Sequence, residues 1–314
     1  MKKAIEVKGL TRKFGHLVAV DHLEFAVYQG EVFGFLGPNG AGKTTTVRML
    51  TGVIDPTEGT AAIQGHDIQK ASLLSRSHIA VVPEEANVYL DLTVWQNLML
   101  MAELHSIARH QRIQEADRLL DTLGLAQKKK QKARALSKGL RQRLMLCAAL
   151  VTDPEILFLD EPTSGLDVQS ANLIRQIVAD RNRNGLTVFL TTHNMIEAND
   201  MCSRIGIIDK GHIAVIDTPE KLRSTINFRQ YVEVRFSSMA PDHNELEALA
   251  DVLEIDSENS TFRLYTKIPG KVATDVVRLA DTKGFNIIHL SIRKPSLEEV
   301  FLHFTSKGKE GGTL

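Results

Sequence analysis

Residues 31–52 read "EVFGFLGPNGAGKTTTVRMLTG", and the order of residue types along that stretch decides the fold. "EVFGFLG" is a short, nearly all-apolar run, as expected of a strand buried on both faces. It runs into the Gly-rich turn "GPNGAGKT" (37–44), and "KTTTVRMLTG" then reads as a helix stopped at Gly52. A G-x-x-x-x-G-K-[ST] turn between a strand and a helix is the context that marks a phosphate-binding loop. Its glycines let successive backbone N–H groups point inward as an anion nest, backed by the helix N-terminus. Gly37, Pro38, Asn39, Gly40, Ala41 and Gly42 make up that turn, all but Pro38 carrying an N–H. Lys43 is expected to reach the β- and γ-phosphates, the Thr44 hydroxyl to hold Mg²⁺, and Thr45 to face the α-phosphate. A Gly-rich turn without a ligand is the competing reading, and the strand–turn–helix order speaks against it.

Bulk composition narrows the surroundings. At 314 residues the chain is long enough for two domains with separate cores. Lys plus Arg and Asp plus Glu both number 38, so no net charge favours nucleic acid or an anionic membrane. Cys147 and Cys202 form no disulfide or metal pattern and fit a reducing cytosol. The start, "MKKAIEVKGLTRKFG", soon alternates like a strand and lacks the apolar stretch of a secretory leader. No apolar run approaches the roughly 18–20 residues that span a bilayer. The expectation is a soluble, cytoplasmic chain that can still dock on a membrane protein.

Outward from the loop, "AIEVKGL" and "HLEFAV" precede it as strands, and "AAIQGHDI" follows the turn "DPTEG" (55–59) as an edge strand. From about 89 to 150 the pattern is helical, in "LTVWQNLMLMAELHSI" and "RIQEADRLLDTLGL". The basic run "QKKKQKAR" (127–134) reads as a solvated linker, with a binding patch as the alternative. "EILFLDEP" and "TVFLTTH" are buried parallel strands around the helix "SANLIRQIVADRNRNG", and "RIGIIDKGHIAVIDTP" is a hairpin across Asp209–Gly211. Near residue 223 the pattern changes. "YVEVRF", "TFRLYTK" and "NIIHLSIRK" alternate with period two. "PSLEEVFLHF" places Pro295 before a capping box of Ser296 and Glu299, with an apolar stripe of Leu297, Val300, Phe301 and Phe304. Residues 1–222 are therefore expected as an α/β domain and 223–314 as a small α+β domain.

Asp160 and Glu161 end the strand "ILFLDE". Adjacent carboxylates there are costly to bury unless a cation or a reacting water needs them. Asp160 takes the role of a Mg²⁺ ligand and Glu161 that of the general base on the attacking water. A solvent-facing acidic turn is the bland alternative. A second helix start, "LSKGLRQR" (136–143), has Ser137 as N-cap, Gly139 for close approach and extra positive charge from Arg141 and Arg143, which suits an anion.

In that order, "GPNGAGKT", "LSKGLRQR", "ILFLDEPTSGLD" and "TTH" resemble the ATP-binding cassette of ABC transporters over roughly residues 4–220. The family signature is Leu-Ser-Gly-Gly-Gln; Leu136, Ser137 and Gly139 match it, whereas Lys138 and Leu140 depart from it. The resemblance implies a P-loop NTPase cassette with a RecA-like core, an antiparallel β subdomain and a helical subdomain at about 89–150. It implies ATP and Mg²⁺ as cofactors, and a head-to-tail pair of cassettes, expected as a homodimer. Ser137 and Gly139 would then serve the γ-phosphate of the partner's ATP. Lys138 either adds a charge there or points to solvent. Phe14 corresponds to the aromatic that stacks on adenine, against a core Phe beside a turn. Asp167 corresponds to the loop crossing the dimer interface, and His193 to the switch histidine on the γ-phosphate. Glu84, in "VVPEE", stands where the family has Gln; its carboxylate could hold Mg²⁺ or water, and its charge puts catalysis at that loop in question.

The resemblance further implies an ATPase subunit that powers transport through a separate polytopic permease, on the inner face of the cell membrane. The tail "IRKPSLEEVFLHFT" is similar to exporter cassettes with a C-terminal accessory domain, which could regulate, dimerise or contact the permease. Trp95, Leu98, Met99 and Met101 lie where such cassettes receive the permease, or are simply subdomain core. The alternative is a soluble ABC-type ATPase acting on nucleic acid or ribosomes, but one P-loop, no sustained heptads and no excess basic charge favour transport, with no nucleic-acid partner. A nucleotide sensor with little turnover would fit a missing general base, and Glu161 is present.

Overall fold

The structure is a computed structural model that describes residues 2–225, 230–237, 240–258, 260–293 and 296–306. Two compact units divide it, one built on the residues up to Thr218 and the other on Pro219–His303. The division falls four residues before the boundary expected from the pattern change, and Pro295 lies outside the described residues.

In the first unit, β1 (Lys3–Phe14) and β2 (Leu17–Tyr28) form a long hairpin. Strand β3 (Val32–Leu36) leads to α1 (Lys43–Leu50), then to β4 (Glu58–Ile63) and β5 (His66–Asp67). A four-stranded antiparallel sheet has the order β2-β1-β4-β5. Next come α2 (Ser72–Ser77), β6 (Ile79–Val82), α3 (Val94–Leu104), α4 (Arg109–Thr122) and α5 (Lys138–Leu150). The chain returns through β7 (Ile156–Asp160), α6 (Val168–Arg183), β8 (Thr187–Thr192), α7 (Met195–Met201), β9 (Arg204–Asp209) and β10 (His212–Asp217). These build a six-stranded sheet, β10-β9-β3-β8-β7-β6, in which only β10 runs antiparallel to its neighbour.

All residues of β3, β7 and β8 are buried, as continuous apolar runs in a covered parallel sheet require. Phe25 of the hairpin stacks 5.6 Å from Phe33 and 5.7 Å from Phe35, joining the two sheets through one core. Register fixes what meets at the carboxyl edge. Leu36 pairs with Thr192 and Asp160 with Thr191, so the segments starting at Gly37, Glu161 and His193 leave the sheet side by side. That edge is where open α/β sheets place their ligands.

The helical region differs from expectation at 127–134. Instead of a solvated linker, the run is strapped to α3. Val94 N–H donates to Gln131 O at 2.9 Å and Trp95 N–H to Lys129 O at 3.1 Å. The Lys129 ammonium lies 3.6 Å from the centre of the Trp95 ring and 2.5 Å from Asp117, so a π face and a counter-charge hold it. In α3, Leu98 is fully buried, while Trp95, Met99 and Met101 are half-buried.

The second unit comprises α8 (Pro219–Thr225), β11 (Tyr231–Phe236), α9 (His243–Glu247), β12 (Glu254–Glu258), β13 (Thr261–Tyr265), α10 (Pro269–Lys283), β14 (Ile287–Arg293) and α11 (Leu297–Ser306). Its antiparallel sheet has the order β12-β13-β11-β14. Val232, Val234, Phe236, Phe262 and Leu264 form a core with Val272, Val276 and Ala280 of α10, the one-sided burial that period-two alternation predicts. Ser296 and Glu299 cap α11 reciprocally, at 2.8 and 3.1 Å. Among the described residues, no helix is long and apolar enough to cross a membrane.

Candidate active site

Helix α1 opens at Gly42, whose φ of 108° no side chain adopts comfortably. A Cβ on Gly42 would stand 2.7 Å from Ala19 O, and one on Gly37 would stand 2.5 Å from Ile208 O. The loop therefore needs glycine at both places to pack on the hairpin and on β9. Above it lies a cleft of about 360 Å³, lined by Pro38, Asn39, Gly40, Gly42, Lys43, Thr44 and Thr45, with Ala19, Glu84, Glu161, Ser164 and His193 around them. Gly37 and the buried Ala41 form the floor of the turn without lining the cleft. Lys43 is 7% exposed and donates to Gly37 O at 2.7 Å and Pro38 O at 3.3 Å. Burial pulls its pKa below the ordinary lysine value, while the carboxylates of Glu161, Asp160 and Glu84 pull the other way.

The facing wall is the end of β7. Asp160 and Glu161 are both buried, so they are no solvated acidic turn. Thr191 holds the pair: its hydroxyl donates to Asp160 Oδ1, and its carbonyl accepts the Glu161 N–H at 3.0 Å. Glu161 has φ +49°, an unusual conformation for a residue with a Cβ. Its Oε2 lies 2.8 Å from His193 Nδ1, and its Oε1 lies 3.8 Å from Lys43 Nζ. Cation, carboxylate and imidazole thus stand in a row across one cleft.

The arrangement fits a nucleotide with its metal. Uncapped helix N–H groups, a buried ammonium and glycine backbone suit phosphate oxygens. No cluster of three His, Cys, Asp or Glu able to hold a metal alone occurs among the described residues. Mg²⁺ binds through one or two carboxylates plus substrate phosphates, and Thr44, Asp160 and the exposed Glu84 are the oxygen donors at hand.

Four expected contacts lie outside this cleft. Phe14, at the end of β1, is 46% exposed with the Arg12 guanidinium 4.6 Å from its ring centre; it is a surface aromatic, not core. Ser137 caps α5, accepting Leu140 N–H at 3.4 Å. Asp167 caps α6, accepting Ser170 N–H at 2.7 Å and the Ser170 hydroxyl at 2.8 Å. Gly139 leaves no room beside them, because a Cβ there would meet Ser170 Oγ at 2.7 Å. Arg143 donates to the same hydroxyl at 2.8 Å, so Ser137, Gly139 and Asp167 belong to one cluster at two joined helix starts. Lys138 lies across the loop before α6: its ammonium would be 2.7 Å from a Cβ on Gly165.

Sequence reasoning passed over Ala19, Ser164 and Thr191. Ala19 and Ser164 carry no chemical signal, since only tertiary packing brings them to the cleft. Thr191 was legible as the residue two before His193 in a strand aimed at the site.

Comparison with known proteins gives the family. Residues 20–164 match the family described as ABC transporter, and residues 218–305 match the C-terminal domain described as ATP-binding protein DrrA1-3-like. The chain is 31% identical to the linearmycin resistance ATP-binding protein LnrL of Bacillus subtilis, covering 96% of this chain and 98% of that one. It is 34% identical to the daunorubicin resistance ATP-binding protein DrrA3 of Streptomyces coeruleorubidus, covering 96% of both. It is 33% identical to the Nod factor export ATP-binding protein I of Cupriavidus metallidurans, over 98% of this chain and 99% of that one. Among solved structures it is similar to an ATP-binding subunit of an ABC transporter, with TM-score 0.68 and 26% identity over 72% of this chain and 94% of the other. It is also similar to a dimeric ATP-binding cassette in a post-hydrolysis state with ADP and Pi, with TM-score 0.63 and 25% identity over 68% and 98%.

Proposed function

This chain belongs to the ATP-binding subunits of ABC transporters, a family of ATPases with the cassette fold, and from that premise we propose that it powers export through a separate membrane-spanning permease. The observation that carries the hydrolytic reading is the row of Lys43, Glu161 and His193 across one cleft. Lys43 and the N–H groups of the loop after Pro38 would bind the phosphates, with Thr45 on the α side. Thr44, Asp160 and Glu84 would hold Mg²⁺, which neutralises charge on the phosphates. Glu161 would take the proton of the attacking water, with His193 orienting it beside the γ-phosphate. Phe14 would meet the base.

Ser137 is exposed at a helix start outside its own cleft, and so is Asp167. A second cassette placed head to tail supplies the missing wall: Ser137 and Gly139 of one copy would close on the phosphate held by the other. The drug-resistance and Nod-factor names of the relatives support export as the direction. Through its permease the chain would act at the inner face of the membrane. The second unit is proposed as an accessory domain.

Elution volume of Glu161→Gln tests the shared site. With hydrolysis blocked, ATP should hold the mutant as a dimer, and nucleotide removal should return it to monomer. Adding Ser137→Arg, which crowds the helix start, should abolish the ATP-dependent dimer. A double mutant that dimerises like its parent contradicts the shared phosphate site.

A further inference from the structure

One helical turn beyond His193, a buried carboxylate stands outside the residues that line the cleft. Glu197 of α7 is 1% exposed. Its Oε1 accepts the Thr163 hydroxyl at 2.9 Å, the Thr192 side chain also stands beside the carboxyl, and Oε2 is buried without a close partner of its own. A half-satisfied carboxyl in the interior is costly, so its location calls for a reason. Thr163 lies two residues after Glu161, and Glu197 lies four after His193. The turn after β7 and the segment after β8 are therefore joined twice, by Glu161–His193 at 2.8 Å and by Thr163–Glu197 at 2.9 Å.

Each side of the second joint is itself fixed. Asn194 Oδ1 accepts the N–H groups of Ile196 and Glu197, at 3.0 and 3.2 Å, and so sets the start of α7. On the other side, Ser164 N–H donates to Glu161 O at 3.1 Å and Leu166 N–H to Thr163 O at 3.2 Å. Glu161 itself sits at φ +49°, a conformation that persists only where its surroundings hold it. The Thr163–Glu197 bond ties the turn 162–164 to α7 through side chains.

We propose that Glu197 is a positioning residue for hydrolysis: through Thr163 it holds the turn after β7 so that the Glu161 carboxylate faces the cleft and meets His193. This rests on Glu161 as the base. Glu197 touches neither nucleotide nor water in this scheme. Burial raises its pKa above the ordinary glutamate value, while the Thr192 and Thr163 side chains pull the other way. Glu197→Gln keeps an acceptor oxygen for Thr163, whereas Glu197→Ala and Thr163→Val each remove the bond.

The test compares steady-state ATP hydrolysis and ATP affinity in the full chain. Glu197→Ala should lower kcat by about 10- to 100-fold, the scale of a misplaced catalytic group, with the Kd for ATP within about twofold. Thr163→Val should reproduce that loss, the double mutant should be no slower than the worse single one, and Glu197→Gln should stay within about threefold of wild type. Thr163→Val carries the test if Glu197→Ala does not fold. Wild-type kcat in Glu197→Ala or Thr163→Val, a loss of ATP affinity that matches the loss of kcat, or additive effects would overturn the proposal. Glu161→Gln run alongside separates the two ideas. If it hydrolyses normally, the base assignment fails and the inference with it; if it is inactive while Thr163→Val is normal, only the positioning role fails.

Discussion

Glu161 Oε2 lies 2.8 Å from His193 Nδ1, so the residue proposed as general base and the histidine proposed to orient the water are in direct contact. Glu161→Gln keeps size and much of the hydrogen bonding but cannot accept a proton. Its kcat should fall by about 10²–10⁴, the usual loss of a general base, while ATP binding survives on Lys43 and the loop amides. His193→Ala should also slow hydrolysis while leaving ATP affinity near wild type. Normal turnover by Glu161→Gln would move the base elsewhere, with Glu84 the first candidate because it lines the same cleft.

Gly42→Ala joins a left-handed backbone to a Cβ only 2.7 Å from Ala19 O. The conformational strain alone is about 1–2 kcal/mol, before the backbone clash is relieved. The denaturation midpoint should drop and ATP affinity should fall with it. Gly40→Ala carries the same kind of strain at φ +82° but meets open space, so it should destabilise less. Equal stability losses in the two variants would mean that packing on Ala19 is unimportant. Lys43→Ala, by contrast, should leave the fold and remove turnover by orders of magnitude.

For the second unit, a chain ending at Thr218 should keep the first core and still bind ATP. The rings that join its two sheets, Phe25 with Phe33, Phe35 and Phe189, precede that point. Circular dichroism and nucleotide titration would check this. An unfolded or nucleotide-blind fragment rules out independent folding of the cassette.

Burial holds the Glu197 carboxyl above the ordinary glutamate pKa. In the unfolded chain the group ionises first as pH rises. Its contribution to stability is thus full below the ordinary glutamate value and is lost as pH climbs through the raised folded value. Glu197→Gln does not titrate. The stability of wild type relative to Glu197→Gln should therefore fall with rising pH across that window, as read from urea midpoints. A difference that grows with pH would mean that the buried carboxylate is stabilised as a charge.

Local chemistry determined much of this protein. The run from Glu31 to Gly52 specifies strand, anion nest and helix by itself, because glycine freedom, N–H direction and apolar continuity are properties of adjacent residues. The caps at Ser137 and Ser296 were legible for the same reason: each side chain bonds a backbone N–H three residues on. Period-two alternation likewise showed a sheet with one covered face after residue 230. Contacts between distant segments were decided only in three dimensions. Strand order set β8 between β3 and β7, and that placement alone brings Glu161 to His193 and Thr191 to Asp160. The basic run 127–134 looked solvated because charge predicts exposure on average, yet Trp95 and Asp117 gave Lys129 a specific seat. Nothing in the residues around Glu197 announces a buried acid; burial is a property of what folds over a residue, and here that is a turn more than thirty residues earlier in the chain.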